Sequence, residues 1–323
     1  MSVREKLAWA ACAVLLVFLY LASSTDLIIK EREVEIHPVS IILNDVNDAY
    51  YQNFKKGVDQ AARDYYADTS YTTLYDEISQ EQQLQLISRE MEDGAQAIVV
   101  IPVEGEPLMD SLREQKPQIP FVVLGAAGGD SAVSSRISVD SREAGRRLAE
   151  EALKELPAGV SCWLFAADVR LGETGLVLDG VESVLKEQGA DYVLREMEEE
   201  ESLLASLQEE YERTGEQAAV IALDKESLTE TAEILKADGS LREGLAGVYG
   251  MGSTTSLLGS LDAGLTDGLV TFDQYTAGYL SVEKAVEAIQ SGKNGEDIQL
   301  DYFYITRDNM WDKSFETMLY PME

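Results

Sequence analysis

From Val39 onward, short apolar runs recur between longer stretches in which apolar residues return every three or four positions. The runs VSIIL (39–43), AIVVI (97–101) and FVVL (121–124) have the length and β-branched content of buried strands, and helical periodicity fills the gaps between them. A second series, SCWLF (161–165), AAVIA (218–222) and LAGVY (245–249), repeats the alternation. Near-continuous apolar strands predict parallel sheets covered on both faces, with right-handed crossovers placing the helices. The pattern therefore predicts an α/β fold of two similar lobes without an extended flexible linker.

Between the two series lies RISVDSREAGRRLAEEALKEL (136–156), a strand that turns into a helix with almost no loop. Asp140 is placed to cap the helix, with Glu143 three residues on, and Ala144, Leu148, Ala149, Ala152 and Leu153 trace one apolar face. Gly145 lets the first turn approach a ligand or another backbone, and a plain packing role fits equally well.

The N-terminus has a different pattern. Arg4 and Lys6 precede an apolar run from Leu7 to Ala22, which polar Ser23, Ser24, Thr25 and Asp26 follow. Such a run addresses a membrane, although it reaches the roughly 20 residues of a full span only with its polar flanks. Residues 1–25 are expected to be an uncleaved anchor, with a signal peptide cleaved after Ser24 as the alternative. Positive charge on the N-terminal side puts the rest outside the cytoplasm, with residues 26–38, including Ile28 to Ile36, as a stalk.

Composition narrows the classes. At 323 residues and 45% hydrophobic content the chain is long enough for about two domains with sizeable cores. A formal net charge of -33 argues against nucleic acid as a partner, because phosphate attraction needs clustered Lys and Arg. The two cysteines, Cys12 in the apolar run and Cys162 in a predicted strand, support neither a disulfide framework nor a thiolate metal site. His37 stands alone. The chain has no G-x-S-x-G, Walker or H-E-x-x-H motif, and the D-x-N-D at 45–48 lacks the turn glycine and terminal Glu of a calcium loop. Paired carboxylates alone do not signal glycoside hydrolysis in so acidic a chain. No catalytic residue, metal or cofactor is expected.

The pattern I-x-V-D-x-x-x-A-G-x-x-L from Ile137 to Leu148 resembles the start of the second lobe in type I periplasmic solute-binding proteins, of the ribose- and galactose-binding kind, and in the related LacI-type sensor domains. The order strand, helix, short strand, helix in GVYGMGSTTSLLGSLDAGLTDGLVTFDQYTAGYLSVEKAVEAIQSGK strengthens the resemblance, which covers about Ile36 to Met322. The tail ITRDNMWDKSFETMLYP is similar to the endings of membrane-anchored or lipoprotein homologues in Gram-positive bacteria. The resemblance implies two Rossmann-like lobes with parallel-core sheets joined by a three-strand hinge near Ser138, Phe272 and Tyr302. The N-terminal lobe would comprise 39–138 and 273–301, and the C-terminal lobe 139–272 and 302–323. It also implies a monomer that captures a small polar ligand, a carbohydrate above all, for an ABC permease. The alternative partner is a membrane receptor such as a sensor histidine kinase. No helix-turn-helix segment precedes the first lobe, which separates the chain from the repressors.

Ligands of open α/β sheets sit outside the carboxyl ends of the strands. After the first strand, Asn44 and Asp45 are placed to bond hydroxyls, and Tyr50 or Tyr51 to stack on a sugar face. The competing reading has Asp48 capping a helix and the tyrosines in its core. Glu104 follows the second run, where the resemblance implies a polar cleft residue or else an exposed loop carboxylate. Gly125, Ala126 and Ala127 stand where sugar-binding relatives carry an acidic and a basic residue, so ribose or galactose specificity does not carry over. In the second lobe Asp168 and Arg170 are available, Arg170 partly replacing a helix-borne family arginine that is absent near Val177. Asp224 is either a contact or a helix cap, and Met251 replaces a frequent Asp. Phe272, Asp273 and Gln274 lie at the return crossing, where the resemblance implies an Asp or Gln side chain in the cleft, Asp273 being either that contact or a structural cap. The acidic balance, with Arg170 opposing Asp45, Glu104, Asp168, Asp224 and Asp273, predicts a neutral or cationic ligand.

Overall fold

The computed structural model describes residues 2–24, 35–46, 48–75, 78–125, 132–196, 218–292 and 297–321. Residues 26–34 of the expected stalk lie outside the described residues, as do Ala126, Ala127 and Glu198 to Glu201, whereas His37 and Pro38, expected to end the stalk, already belong to the first strand and pair with Ala67 and Asp68. The chain divides into two units, Met1–Ile36 and His37–Glu323. The first contains α1 (Val3–Ser24), whose large apolar side chains from Leu7 to Leu21 are exposed. Among the described residues no helix is long and apolar enough to cross a membrane.

Among its described residues the second unit largely alternates strands and helices. Its elements run β1 (His37–Ile42), a 3-10 turn (Asp48–Tyr51), α2 (Gln52–Tyr65), β2 (Ala67–Thr72), α3 (Gln80–Glu92), β3 (Ala97–Val100), α4 (Gly105–Gln115), β4 (Phe121–Leu124) and β5 (Ser135–Val139). After the first crossing come α5 (Ser141–Glu155), β6 (Ser161–Ala166), α6 (Thr174–Gln188), β7 (Tyr192–Glu196), β8 (Ala218–Ala222), α7 (Lys225–Ala237), α8 (Gly239–Gly244), β9 (Leu245–Met251), α9 (Thr255–Asp262) and β10 (Gly268–Phe272). The chain then returns through α10 (Gln274–Ser291) and β11 (Ile298–Leu300), and crosses a third time into β12 (Tyr302–Thr306) and α11 (Lys313–Leu319).

Two sheets of six strands result, ordered β11-β5-β4-β3-β1-β2 and β12-β10-β9-β8-β6-β7. Among the described strands every pairing is parallel except that of β12 with β10. The apolar runs occupy the interior because their side chains alternate between two buried layers. In the first sheet Val39 and Ile41 meet α2 and α10, whereas Ile42, Ile98 and Val100 meet α3 and α4. In the second, Cys162 and Leu164 face α5 and α6, while Trp163 and Phe165 face α7 and α9. Burial pushes the Cys162 thiol up to about 11, so it behaves as an inert apolar group.

Two helix pairs are built on facing glycines. A Cβ at Gly145 would overlap the Val177 carbonyl and one at Gly180 the Arg142 carbonyl, so α5 and α6 touch backbone to backbone. Gly57 and Gly278 make the same arrangement between α2 and α10, against Tyr275 and Phe54. Of the two roles open to Gly145, the structure shows packing. Each crossing into these pairs opens on a capping aspartate: Asp140 accepts from the Glu143 N–H at 3.0 Å, and Asp273 from the Thr276 N–H at 2.9 Å. The segments VDSREAG (139–145) and FDQYTAG (272–278) are thus one structural device used once per lobe.

Candidate ligand-binding cleft

The carboxyl ends of the parallel strands in both sheets open onto one cavity of about 310 Å3. In the first lobe the loops after β1 and β3 are tied by Gln83 of α3, a fully buried amide. Its Nε2 donates to the Ile101 carbonyl at 2.8 Å and the Leu43 carbonyl at 3.4 Å, and its Oε1 accepts from the Val103 N–H at 3.0 Å. Asn44 donates to the Pro102 carbonyl at 3.2 Å and accepts from the Tyr51 hydroxyl at 2.5 Å. Both ends of its amide are thereby oriented.

The second lobe uses Asp224 in the same way. One carboxylate oxygen accepts from the Ser227 N–H at 2.8 Å and the other from the Ala167 N–H at 2.7 Å, which joins the loops after β6 and β8. Burial and the nearby Glu226 carboxylate push the Asp224 carboxyl up, against the backbone bonds from Ser227 and Ala167 that stabilise its charge.

Contacts also run across the cleft. Lys225, the first residue of α7, places its ammonium 2.9 Å from Glu226 and 3.4 Å from Asp45 in the opposite lobe. The same nitrogen lies 4.8 Å from the Tyr50 ring centroid and 5.2 Å from that of Tyr51. Burial acts to lower the Lys225 value, but Tyr51, Glu226 and Asp45 outweigh it and the net direction is upward, so the ammonium stays charged. Burial likewise raises Tyr50 and Tyr51, keeping both phenols protonated. On another side of the cavity the Gly172 N–H donates to the Val103 carbonyl of the first lobe at 2.9 Å, and Leu171 packs into the first lobe's apolar cluster. Glu173 accepts from the Ser141 hydroxyl, and one of its oxygens occupies the space beside Gly125 that a Cβ would approach to 3.1 Å. Gly125 itself has φ +122, a conformation that favours glycine.

Of the residues expected from sequence, Asn44, Tyr50, Tyr51, Gly125, Asp168, Asp224, Met251 and Phe272 border the cavity. Four do not. Asp45 is buried and is an ion-pair partner of Lys225. Glu104 is exposed at the start of α4, where its N–H donates to Gln80 at 2.8 Å. Arg170 points outward with its side chain 82% exposed, and grips Asp168 through contacts of 2.9 and 2.6 Å. That guanidinium holds the Asp168 carboxyl below the usual carboxylate range. Asp273 spends both oxygens on the Thr276 N–H and hydroxyl, the latter at 2.7 Å, so its capping role is the one realised. Sequence reasoning missed Lys225, Glu173 and Ser141, which line the cavity, as do Gln274 and Tyr302 from the second and third crossings. Adjacency was the available signal for Lys225, which follows Asp224.

Two sheets whose strand ends close on a shared cavity, joined by three crossings, define the class of two-lobed binding proteins. The chain belongs to the periplasmic binding protein domain family, which it matches over residues 39–294. No curated protein matches the chain. Among solved structures, it resembles a carbohydrate transporter solute-binding protein from Agrobacterium radiobacter in complex with D-arabinose, at 19% identity and a TM-score of 0.78, covering 89% of this chain and 100% of that one. It also resembles an ABC transporter solute-binding protein from Bacillus halodurans C-125 with bound myo-inositol, at 18% identity and a TM-score of 0.74, covering 88% and 99%. A third, from Agrobacterium vitis with bound D-fucose, gives 14% identity and a TM-score of 0.75, covering 88% and 100%.

Proposed function

We propose that this protein is an extracytoplasmic solute-binding protein that captures a small neutral carbohydrate or polyol between its lobes for an ABC importer. The observation that carries the reading is the cavity of about 310 Å3 at the strand ends of both sheets, a volume suited to one small polar molecule. The ligands bound in its structural relatives, D-arabinose, D-fucose and myo-inositol, are of that size and are uncharged. Asn44, Tyr50, Tyr51, Gly125, Asp168, Asp224, Met251 and Phe272 are the proposed contacts, joined by Ser141, Glu173 and Gln274. Around the cavity Asp168, Glu173, Asp224 and Glu226 outnumber Lys225, which disfavours an anionic ligand. The carboxylates already committed to a cap or to Arg170 favour binding over hydrolysis.

The proposed lobes are 39–138 with 273–301 and 139–272 with 302–323, acting as a monomer. The apolar run Leu7–Ala22, which reaches the length of a span only when its polar flanks are counted, is proposed as the single N-terminal membrane anchor. A permanently anchored binding domain also suits a sensory subunit beside a receptor such as a histidine kinase, and that is the second reading. A thermal-shift screen of the full chain against neutral sugars, polyols, sugar phosphates and uronates tests the ligand class. Neutral solutes should stabilise it by about 2.7 kcal/mol at a hundredfold excess over Kd. Stabilisation by sugar phosphates alone contradicts the proposal.

A further inference from the structure

The Lys225 ammonium borders the cavity and is surrounded by the Glu226 carboxylate at 2.9 Å, the Asp45 carboxylate at 3.4 Å, and the rings of Tyr50 and Tyr51, whose centroids lie at 4.8 and 5.2 Å. Asp45 is only 6% exposed and the Lys225 side chain 26%, so salt screens their contact little. Carboxylates beside aromatic faces form a constellation suited to holding a ligand's ammonium group, because the anion and the ring quadrupole attract the same charge. Here the chain fills that constellation with a cation of its own. The other acidic groups at the cavity are committed as well: Asp168 to Arg170, Asp224 to the Ser227 and Ala167 N–H groups, and Glu173 to the Ser141 hydroxyl. An amine entering the cleft therefore meets carboxylates already engaged and the fixed charge of Lys225, and like charges repel strongly where water is largely excluded.

We propose that Lys225 sets the charge specificity of the cleft: its ammonium holds the cation position between Asp45, Glu226, Tyr50 and Tyr51, so that neutral solutes are admitted and solutes carrying an ammonium group are turned away. This rests on the reading of the cavity as the solute site, and it narrows the ligand class. The acidic excess disfavours anions and Lys225 removes cations, which leaves uncharged polyhydroxy solutes. The charge filter belongs to the closed arrangement, in which the two lobes hold a solute jointly and Lys225 meets Asp45 across the cleft. Its backbone is held independently of its side chain, since the Asp224 cap fixes the first turn of α7 through the Ser227 N–H.

Chemical rescue tests it. Lys225→Ala removes the side chain from Cγ to Nζ, and n-propylammonium supplies those atoms as a free solute. Full-length wild type and Lys225→Ala are melted in n-propylammonium chloride, with n-propanol as the neutral isostere and sodium chloride as the ionic-strength control. Propylammonium should raise the Tm of Lys225→Ala above both controls, with half-saturation at a concentration about tenfold lower than in the wild type, the scale of an ion pair with a cation–π contact. Adding Asp45→Asn to Lys225→Ala should weaken that response, and Lys225→Met, which is uncharged but fills the same space, should lack it. A response equal in wild type and Lys225→Ala, no larger than that to n-propanol, undiminished by Asp45→Asn, or shared by Lys225→Met overturns the proposal. Should Lys225→Ala fail to fold, its refolding yields in propylammonium chloride and in sodium chloride are compared: a higher yield with the amine supports the filter, and equal yields overturn it. The amine readout needs no sugar, so failure of the solute screen and failure of the charge filter are told apart.

Discussion

Gln83 neither borders the cavity nor carries a charge, yet three backbone groups of the cleft floor depend on it. Gln83→Ala leaves those groups without their partner in a buried place, and should cost about 2 kcal/mol of stability in urea unfolding. Solute affinity should fall as well, because the loops after β1 and β3 lose their common tie. Asp168 makes a prediction with a pH signature. Arg170 holds its carboxyl below the ordinary value of about 3.9. The pair therefore contributes stability that is complete above that value and lost as pH falls through the lower folded one. Asp168→Asn should flatten the acid limb of stability below about pH 4, and an unchanged limb contradicts the pairing. At this scale the sequence was legible only in part. An aspartate after a strand has the same appearance whether it caps a helix, as Asp273 does, or caps one while also facing the cavity, as Asp224 does. Lys225 was missed because a lysine in a first helical turn reads as a solvated residue until the opposite lobe is in place.

The helices are positioned by four small residues. Gly145→Ala and Gly278→Ala should each destabilise the protein by about 1–3 kcal/mol, since the added methyl meets a carbonyl that the sheet behind it prevents from yielding. Gly259 in α9 has open space where a Cβ would stand, so Gly259→Ala should be neutral or stabilising by up to about 1 kcal/mol. Chemical denaturation of the three variants checks both signs at once. The buried strands were visible in the sequence because two apolar faces leave a continuous run, as in Phe121–Leu124 and Ala218–Ala222. Strands β2 and β7 were not. They lie at sheet edges, with exposed Asp68 and Ser70 and half-buried Arg195, and their hydrophobic signal is diluted accordingly. The repeated D-x-x-x-A-G of the two crossings was readable in principle, and its meaning emerges only once both glycines are seen against facing backbones.

On the scale of the whole molecule, the two α/β lobes and their three crossings were legible, because alternating elements and the order of the C-terminal third leave few arrangements. The proposed membrane topology follows from the N-terminal charges and the apolar run after them, so the domain from residue 39 should be digested by protease added to intact cells. Protection until lysis contradicts that placement. Calorimetric titration tests most directly whether one small neutral solute binds between the lobes. The strongest stabiliser from the thermal-shift screen is titrated into wild type, Asn44→Ala from the first lobe and Asp168→Ala from the second. The account predicts one site per chain and at least about a tenfold loss of affinity in both variants, roughly 1.4 kcal/mol each. Unaltered affinity in either variant, or a stoichiometry other than one, contradicts a ligand held jointly by the two lobes.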